Sequence, residues 1–416
     1  MTTDRTGIDG RAAWRAADTA TGNGVLSGVR VLDLSRVLAG PYTAQMLADQ
    51  GAEVIKVEGP GGDETRSWGP PFVDDGAGSA YYAGLNHSKE NIGLDLRTNG
   101  GREVLAHLLD AADVVVENFK AGTMARWGFD YETVLVERNP RLVYCRITGF
   151  GVDGPMGGLP GYDAVLQSFG GLMSVNGYSD GNPLRVGVPI VDIVTAGHAV
   201  NGILLALLER ERSGRGQLID MTLLDSVISI LHPHAANWVA GGQVPQRTGD
   251  FHPTVVPYQV FRAADGDLFV SAANNRQFRS LVAALGVPGL ADDPRFADNG
   301  QRHAHREDLV AILAERIATR RRAELAPLLE RAGVAAAAVN TVDEALRAEQ
   351  TRHRGLFLET EEYRGVGVPL KLSRSPHRSP RPAVPRGVDT TAVLRAMGYS
   401  GERIDTLRAA GIFGDS

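Results

Sequence analysis

The fold is decided by the stretch VLDLSRVLAGPYTAQMLADQGAEVIKVE, residues 31–58. Its first apolar run, Val31 to Leu34, is typical of a buried parallel strand. Pro41 suits the first turn of a helix, which we expect to run through Leu47. A second apolar run, Ala52 to Glu58, predicts another strand. A strand, a helix and a strand in this order form the βαβ unit of a parallel sheet.

The same alternation continues along the first half of the chain. Further elements are predicted as strands at Asn91 to Leu96, Asp113 to Glu117 and Arg141 to Ile147, and as helices at Gly101 to Ala111, near Thr123 and at Tyr131 to Arg138. This order predicts an α/β fold with a Rossmann-like, doubly wound large domain. The turn from Ser35 to Pro41 lacks the G-x-G-x-x-G pattern, which disfavours an NAD or FAD site.

The pattern changes near Gly249, where strands predicted at residues 252–260 and 267–272 indicate a smaller α+β domain. We therefore expect five segments along the chain. They are a disordered N-terminal tail at 1–24, the large domain at 25–215, a linker at 216–249, the small domain at 250–345 and a C-terminal segment at 346–416. The tail is polar and lacks the apolar core of a signal peptide.

Composition narrows the function classes. The 416 residues are 43% hydrophobic and 22% charged, as in a soluble globular protein, and the net charge of −6 argues against a general nucleic-acid binder. The single cysteine, Cys145, excludes an intrachain disulfide and favours a reducing, cytoplasmic compartment. The apolar run Val186 to Leu208 carries Asp192 and His198, so we expect a buried helix and no membrane span.

Three aspartates are candidates for a catalytic carboxylate. Asp180 lies in the Gly- and Pro-rich turn from Val175 to Pro183, Asp163 follows Gly161 and Tyr162, and Asp192 lies on the apolar helix. A turn presents a short acid to a cleft without a helix or strand to shield it. Most aspartates in such turns bond their own backbone instead, so the turn alone decides nothing.

The chain resembles the class III CoA-transferases, also called the CaiB/BaiF family, from about Leu26 to its C-terminus. The resemblance rests on separate blocks in the right order: Val31 to Leu34 with Ala39 to Pro41, Gly51 to Glu58, Gly62 to Arg66, Lys89 with Leu94 to Leu96, Ala112 to Phe119, Gly149 to Gly151, Gly161 to Asp163 and Gly214 to Gln217. Within the family it is most similar to enzymes that move CoA between short dicarboxylic acids, of the formyl-CoA/acetyl-CoA:oxalate and succinate–hydroxymethylglutarate types.

This resemblance implies a ring-shaped subunit that is interlocked with a second copy in a homodimer. The large domain would then be built from both ends of the chain, with the C-terminal segment returning to it. Coenzyme A, as acyl-CoA, would be a substrate, and no tightly bound cofactor or metal is implied. The partners would be acyl-CoA, a small carboxylic acid and a second copy of the chain, without nucleic acid or membrane.

The resemblance also implies a covalent carboxylate nucleophile, and Asp180 is our first candidate for it. An aspartate has an ordinary pKa near 3.9 and is ionised at neutral pH. Gly177 and Gly181 on either side would let the backbone approach the thioester. Asp163 and Asp192 rank behind Asp180.

Residues for CoA and the acyl group follow from the same resemblance. Those expected along the CoA path are Leu38, Ala39, Leu94, Asp95, Leu96, Arg97, Asn118, Phe119, Lys120, Arg126, Thr148, Gly149, Phe150 and Gly151. Trp68 and Tyr81 match aromatic residues of the acyl pocket. The chain departs from the family pattern at Gly59, where an arginine stacks on adenine, and at Thr148, where a lysine lies near the pyrophosphate.

Two other functions stay open. The same fold hosts α-methylacyl-CoA racemases, which use a histidine and an aspartate to move a proton α to the thioester. Tyr162 and Asp192 occupy those two positions, and a phenol with a pKa near 10 is a poor base at neutral pH. The other alternative is a CoA-binding protein without catalysis.

Overall fold

The computed structural model describes residues 8–16, 24–73 and 76–414. The chain forms two compact units, each with its own hydrophobic core. The larger unit comprises Met1–Gly170, Gly187–His232 and Glu349–Ser416, and the smaller unit comprises Gly171–Val186 and Pro233–Ala348.

A six-stranded parallel sheet forms the centre of the larger unit. Its strands are β1 (Arg30–Asp33), β2 (Glu53–Glu58), β3 (Glu90–Gly93), β4 (Val114–Glu117), β5 (Val143–Thr148) and β6 (Leu218–Thr222). They are arranged in the order β3-β2-β1-β4-β5-β6, and every neighbouring pair is parallel. This is the strand order of a Rossmann fold, so the predicted α/β class and parallel sheet are confirmed.

Buried β-branched residues explain the central strands. Val114, Val115 and Val116 in β4 are all fully buried, because helices cover both faces of a parallel sheet. The long helices are α1 (Ala39–Asp49), α2 (Asn99–Ala111) and α3 (Ile190–Ser213). The shorter ones are Ala80–Asn86, Thr123–Arg126, Val136–Arg138, Asp163–Phe169, Leu223–Ser229, Glu349–His353, Thr390–Ala396 and Gly401–Ala409.

The strand order places a crevice between β1 and β4. The sheet continues from β1 toward β2 on one side and from β4 toward β5 on the other, so the connections that follow β1 and β4 diverge. Ligands of open α/β sheets bind at the carboxyl ends of the strands at such a switch point. The loops after Asp33 and Glu117 are therefore the first place to look for a site.

The smaller unit has an antiparallel sheet of its own. Its strands β7 (Tyr258–Ala263), β8 (Gly266–Ser271) and β9 (Ala335–Ala338) are ordered β9-β8-β7. Its helices are Leu172–Val175, His234–Gly241, Asn275–Ala284, Asn299–Ala304, Arg306–Ala318, Arg322–Arg331 and Val342–Arg347. The larger unit also carries two small antiparallel pairs, Phe72–Val73 with Gly78–Ser79 and Phe357–Glu359 with Arg364–Val366.

Part of the predicted disordered tail is ordered. Gly10–Ala16 forms a 3₁₀ helix, and Trp14 is only 1% exposed. The prediction was wrong for these residues because Ala13 and Trp14 join the core of the larger unit. Within 1–24, residues 1–7 and 17–23 lie outside the described residues.

The predicted linker at 216–249 also differs from the structure. Strand β6 falls in it and pairs with β5 from Tyr144↔Leu218 to Thr148↔Thr222. After β6 the chain stays in the larger unit through His232 and passes into the smaller unit at Pro233. The run Gly214 to Asp220 does indicate a turn into a strand, but the pairing of that strand with β5 depends on a distant segment and cannot be predicted from a local pattern.

Helix α3 is long and apolar enough, by length and composition alone, to cross a membrane. One face packs against α1 and β6, where Val191, Ala199 and Ile203 are fully buried. Only 33% of its most apolar stretch is buried within the chain. The predicted buried helix is therefore a helix with one buried and one exposed apolar face.

Candidate active site

A cavity of about 150 Å³ lies at the carboxyl ends of the central strands. We call it the Asp192 cavity. Its lining includes these residues predicted for the CoA path: Leu38, Ala39, Asn118, Phe119, Lys120, Thr148, Gly149 and Gly151. Arg36, Glu64, Tyr162 and Asp192 line it as well. The structure thus brings the loops after β1, β4 and β5 together around one aspartate.

One wall of the cavity requires two glycines. A Cβ atom on Gly149 would lie 2.7 Å from the Cα of Gly161, so the two backbones touch. The hydroxyl of Thr148 accepts a hydrogen bond from the Gly151 amide at 3.0 Å, which tightens the turn after β5. Two loops that are distant in sequence are therefore fixed side by side at the cavity.

Asp192 lies in the first turn of α3, and Asp163 holds that turn. One carboxylate oxygen of Asp163 accepts hydrogen bonds from the amides of Val191 and Asp192, at 2.7 and 3.2 Å. The side-chain amide of Gln167 donates a hydrogen bond to the other carboxylate oxygen of Asp163 at 2.6 Å. Burial and, second, the neighbouring Asp163 carboxylate raise the pKa of Asp192 to about 7. Asp192 is therefore a carboxyl group that ionises near neutral pH.

The two predicted acyl-pocket aromatics form a pair. The rings of Trp68 and Tyr81 meet edge to face, with centroids 5.3 Å apart, and Trp68 is 44% exposed. Burial, followed by the charges of Asp192 and Asp163, raises the pKa of the Tyr81 phenol to about 12. The Tyr81 hydroxyl therefore lies in the field of both carboxylates and stays protonated at neutral pH.

A second cavity, of about 420 Å³, is lined by four further predicted CoA residues. We call it the Gly59 cavity. Leu94, Asp95, Leu96 and Arg97 line it, beside the glycine-rich segment 59–62. Arg97 donates to Asp95 at 2.7 and 2.8 Å, so its guanidinium is already paired. Arg36, Phe119 and Lys120 line both cavities and connect them.

Two predicted CoA residues line neither cavity. Arg126 donates to the Thr123 hydroxyl at 2.7 Å, and Thr123 lines the Gly59 cavity. Phe150 packs edge to face on Phe169, with ring centroids 5.3 Å apart. Asn118 does line the Asp192 cavity, but its amide group is bound to the Arg36 backbone, at 2.9 Å and 2.7 Å. Asn118 therefore stabilises the loop that follows β1.

Asp180 lies in the smaller unit, on an exposed turn. Arg247 holds the turn by donating to the carbonyl oxygens of Tyr178 and Gly181, at 3.1 and 3.0 Å. Gly177 has a φ of 119°, which only glycine adopts easily. Every residue that lines the Asp192 cavity belongs to the larger unit, so Asp180 is not among them.

Sequence reasoning passed over Arg36 as a site residue. Arg36 and Lys120 are the Lys and Arg residues in the lining of the Asp192 cavity. The available signal was position, because Arg36 lies in the loop that follows β1, at the switch point of the sheet. In the part of the chain that the structure describes, no three His, Cys, Asp or Glu side chains are grouped so that they could hold a metal ion.

The chain is similar to known CoA-transferases over most of its length. Residues 26–390 match the model of CoA-transferase family III. The chain is 42% identical to the succinate–glutarate CoA-transferase of Agrobacterium fabrum, over 89% of this chain and 94% of that protein. It is 36% identical to the human succinyl-CoA:glutarate CoA-transferase, over 97% of this chain and 93% of that protein.

A crystal structure of a CaiB/BaiF family protein from Brucella suis superposes on this chain with a TM-score of 0.84 at 40% sequence identity. The superposition covers 90% of this chain and 100% of that one. The chain is a CoA-transferase and belongs to family III.

Proposed function

We propose that this enzyme moves CoA from an acyl-CoA donor to a short dicarboxylic acid. The similar enzymes from Agrobacterium fabrum and human are named for succinate or succinyl-CoA and glutarate, and one from Acetobacter aceti for acetyl-CoA and oxalate. Arg36 and Lys120 line the Asp192 cavity and supply the positive charge that a carboxylate substrate or a CoA phosphate needs.

We propose Asp192, ahead of Asp180, as the nucleophile. The observation that carries this choice is that Asp192 lines the same cavity as Leu38, Ala39 and Gly149, three residues of the expected CoA path. Asp163 fixes the first turn of α3 by accepting hydrogen bonds from the backbone amides of Val191 and Asp192. Asp180 has the exposed turn that the sequence favours, but it is not among the residues that line this cavity.

The proposed reaction has four steps at one carboxylate. The Asp192 carboxylate attacks the donor thioester carbonyl, and CoA thiolate leaves as a mixed anhydride forms. The thiolate then attacks the aspartyl carbonyl, which gives an aspartyl-CoA thioester and releases the donor acid. The acceptor carboxylate attacks this thioester, and the thiolate leaves again. Finally the thiolate attacks the acceptor acyl carbonyl, which forms the new acyl-CoA and frees Asp192.

The racemase alternative uses the same cavity. Tyr162 lines it together with Asp192 and is 58% exposed. The racemases use a histidine as the second base, and this chain has a tyrosine at that position. Transfer through Asp192 needs no second base, which favours it over proton abstraction.

We further propose that the enzyme is a homodimer that does not insert into a membrane. Leu205 and Leu208 on the outer face of α3 are 66% and 58% exposed in the single chain. An apolar helix face of this kind marks a surface that another protein covers. The interlocked arrangement that the sequence resemblance implies would cover such a face with a second copy.

A substrate panel tests the proposed function. Succinyl-CoA and acetyl-CoA would be offered with oxalate, succinate and glutarate, and new acyl-CoA would be identified by mass spectrometry. We expect exchange with at least one dicarboxylic acid, with loss of turnover in Asp192→Ala and retention in Asp180→Ala. The opposite pattern in the two variants would return the nucleophile to Asp180. Absence of exchange with every pair would contradict the dicarboxylate proposal.

A further inference from the structure

Val37 adopts a backbone conformation that valine avoids. Its φ is 70°, in the left-handed region, where a β-branched side chain is strained. The residue lines the Asp192 cavity and directly precedes Leu38 and Ala39, which lie on the expected CoA path. Strain of this kind persists only where the surrounding structure imposes it.

Two side chains hold the backbone of this loop. Both carboxylate oxygens of Asp63 lie within reach of the Val37 amide, at 3.3 and 3.4 Å. The side chain of Asn118 accepts from the Arg36 amide at 2.9 Å and donates to the Arg36 carbonyl at 2.7 Å. The loop is thereby held by residues that follow two other strands, β2 and β4.

A buried group of four charges lies under the loop. Asp33, Lys56, Asp63 and Lys89 have side chains that are at most 2% exposed. Lys56 donates to the Ser35 carbonyl at 2.8 Å and pairs with Asp63 at 3.2 Å. Two carboxylates and two ammonium groups give no net charge, which is the condition under which buried ions are tolerated.

The remaining bonds of the group reach the start of α1. Lys89 donates to Asp33 at 2.9 Å and to the Pro41 carbonyl at 2.8 Å. Asp33 accepts from the Ser35 amide at 3.0 Å. The charges therefore anchor the chain on both sides of Val37, before it at Ser35 and after it at Pro41.

We propose that Asp63, oriented by Lys56, is a positioning residue that holds Val37 in its left-handed conformation, so that Leu38 and Ala39 line the Asp192 cavity. Asp63 acts through the backbone of the loop. This inference rests on the proposed function, because it assigns the loop a role in CoA transfer at Asp192. Without Asp63 we expect Val37 to relax to a negative φ and to shift the two residues that follow it.

The test is a rescue experiment with three variants. Asp63→Ala should lower kcat about tenfold or more, because Leu38 and Ala39 in the cavity wall would be displaced and would position the substrate less accurately. Val37→Gly should restore a large part of that loss in the Asp63→Ala background, because glycine enters the left-handed region without strain. Ser88→Gly is the matched control, since Ser88 also has a positive φ, of 62°, but lines neither cavity. It should restore nothing.

Stability is followed separately, by urea unfolding of each variant. If Asp63→Ala does not fold, Asp63→Asn takes its place. It loses the charge through which Lys56 orients the side chain, so we expect a smaller fall in kcat that Val37→Gly again restores. Unchanged kcat in both Asp63 variants, or equal rescue by Val37→Gly and Ser88→Gly, would overturn the inference. A crystal structure of the Asp63 variant in which Val37 still has a positive φ would overturn the inference as well. This structural result does not depend on activity, so it separates failure of the inference from failure of the proposed function.

Discussion

At the scale of single residues, the ionisation of Asp192 should control the rate. Burial and Asp163 raise the pKa of Asp192 to about 7, and only the carboxylate form can attack a thioester. We therefore expect kcat/KM to fall as pH drops below about 7, approaching tenfold per pH unit. The measurement is the pH profile of CoA exchange. A flat profile between pH 5 and 8 would contradict a nucleophile with this pKa.

The charge of Asp163 can be separated from its hydrogen bonds. Asp163→Asn keeps an oxygen that can accept from the amides of Val191 and Asp192, but it removes the neighbouring negative charge. We expect the acid limb of the pH profile to move to lower pH in this variant. Asp163→Ala should instead lower kcat, because it frees the first turn of α3. An acid limb that stays in place in Asp163→Asn would show that burial alone raises the pKa.

The residues also show where sequence reasoning reached its limit. The family resemblance identified Leu38, Ala39 and Gly149, which do line the Asp192 cavity. Sequence reasoning ranked Asp180 ahead of Asp192 because the family resemblance was taken to place the nucleophile at Asp180. Only the folded chain shows that the first turn of α3 opens onto the cavity.

At the scale of elements, the wall between β5 and the helix Asp163–Phe169 depends on two glycines. The Gly149→Ala methyl group would lie 2.7 Å from the Cα and the amide nitrogen of Gly161, so one loop must move. We expect weaker CoA binding, measured by calorimetry, and a lower midpoint of thermal unfolding.

A glycine in an open position serves as the control for that variant. Gly84 lies exposed in the helix Ala80–Asn86, and a Cβ atom there meets nothing within 4 Å. Gly84→Ala should leave CoA binding unchanged and add up to about 1 kcal/mol of stability. Equal CoA affinity in Gly149→Ala and Gly84→Ala would contradict the account of the cavity wall.

At the scale of the whole molecule, the prediction concerns assembly. The exposed apolar face of α3 leads us to expect a dimer of about twice the 44.4 kDa chain mass in sedimentation. Interlocked chains cannot separate without unfolding, so dilution through the micromolar range should not release monomer. A monomer under these conditions would contradict the assembly, and one that binds detergent or lipid would point to a membrane surface.

Sequence alone predicted the alternation of strands and helices, because apolar runs and glycine or proline boundaries are local signals. It could not predict the order β3-β2-β1-β4-β5-β6, which depends on pairing between distant segments. The buried pairs of Lys56 and Lys89 with Asp33 were hidden for the same reason, since these residues are 23 and 56 positions away from it. The resemblance to a known family supplied what local patterns lacked.

The most direct test of the central claim is to trap the acyl-enzyme. The enzyme would be incubated with succinyl-CoA and hydroxylamine and digested with trypsin, which cleaves at Arg185 and so separates Asp180 from Asp192. Transfer through Asp192 predicts a hydroxamate on the peptide from Val186 to Arg210, found by mass spectrometry and absent in Asp192→Ala. A hydroxamate on the Asp180 peptide, or none on either peptide while exchange proceeds, would contradict this account.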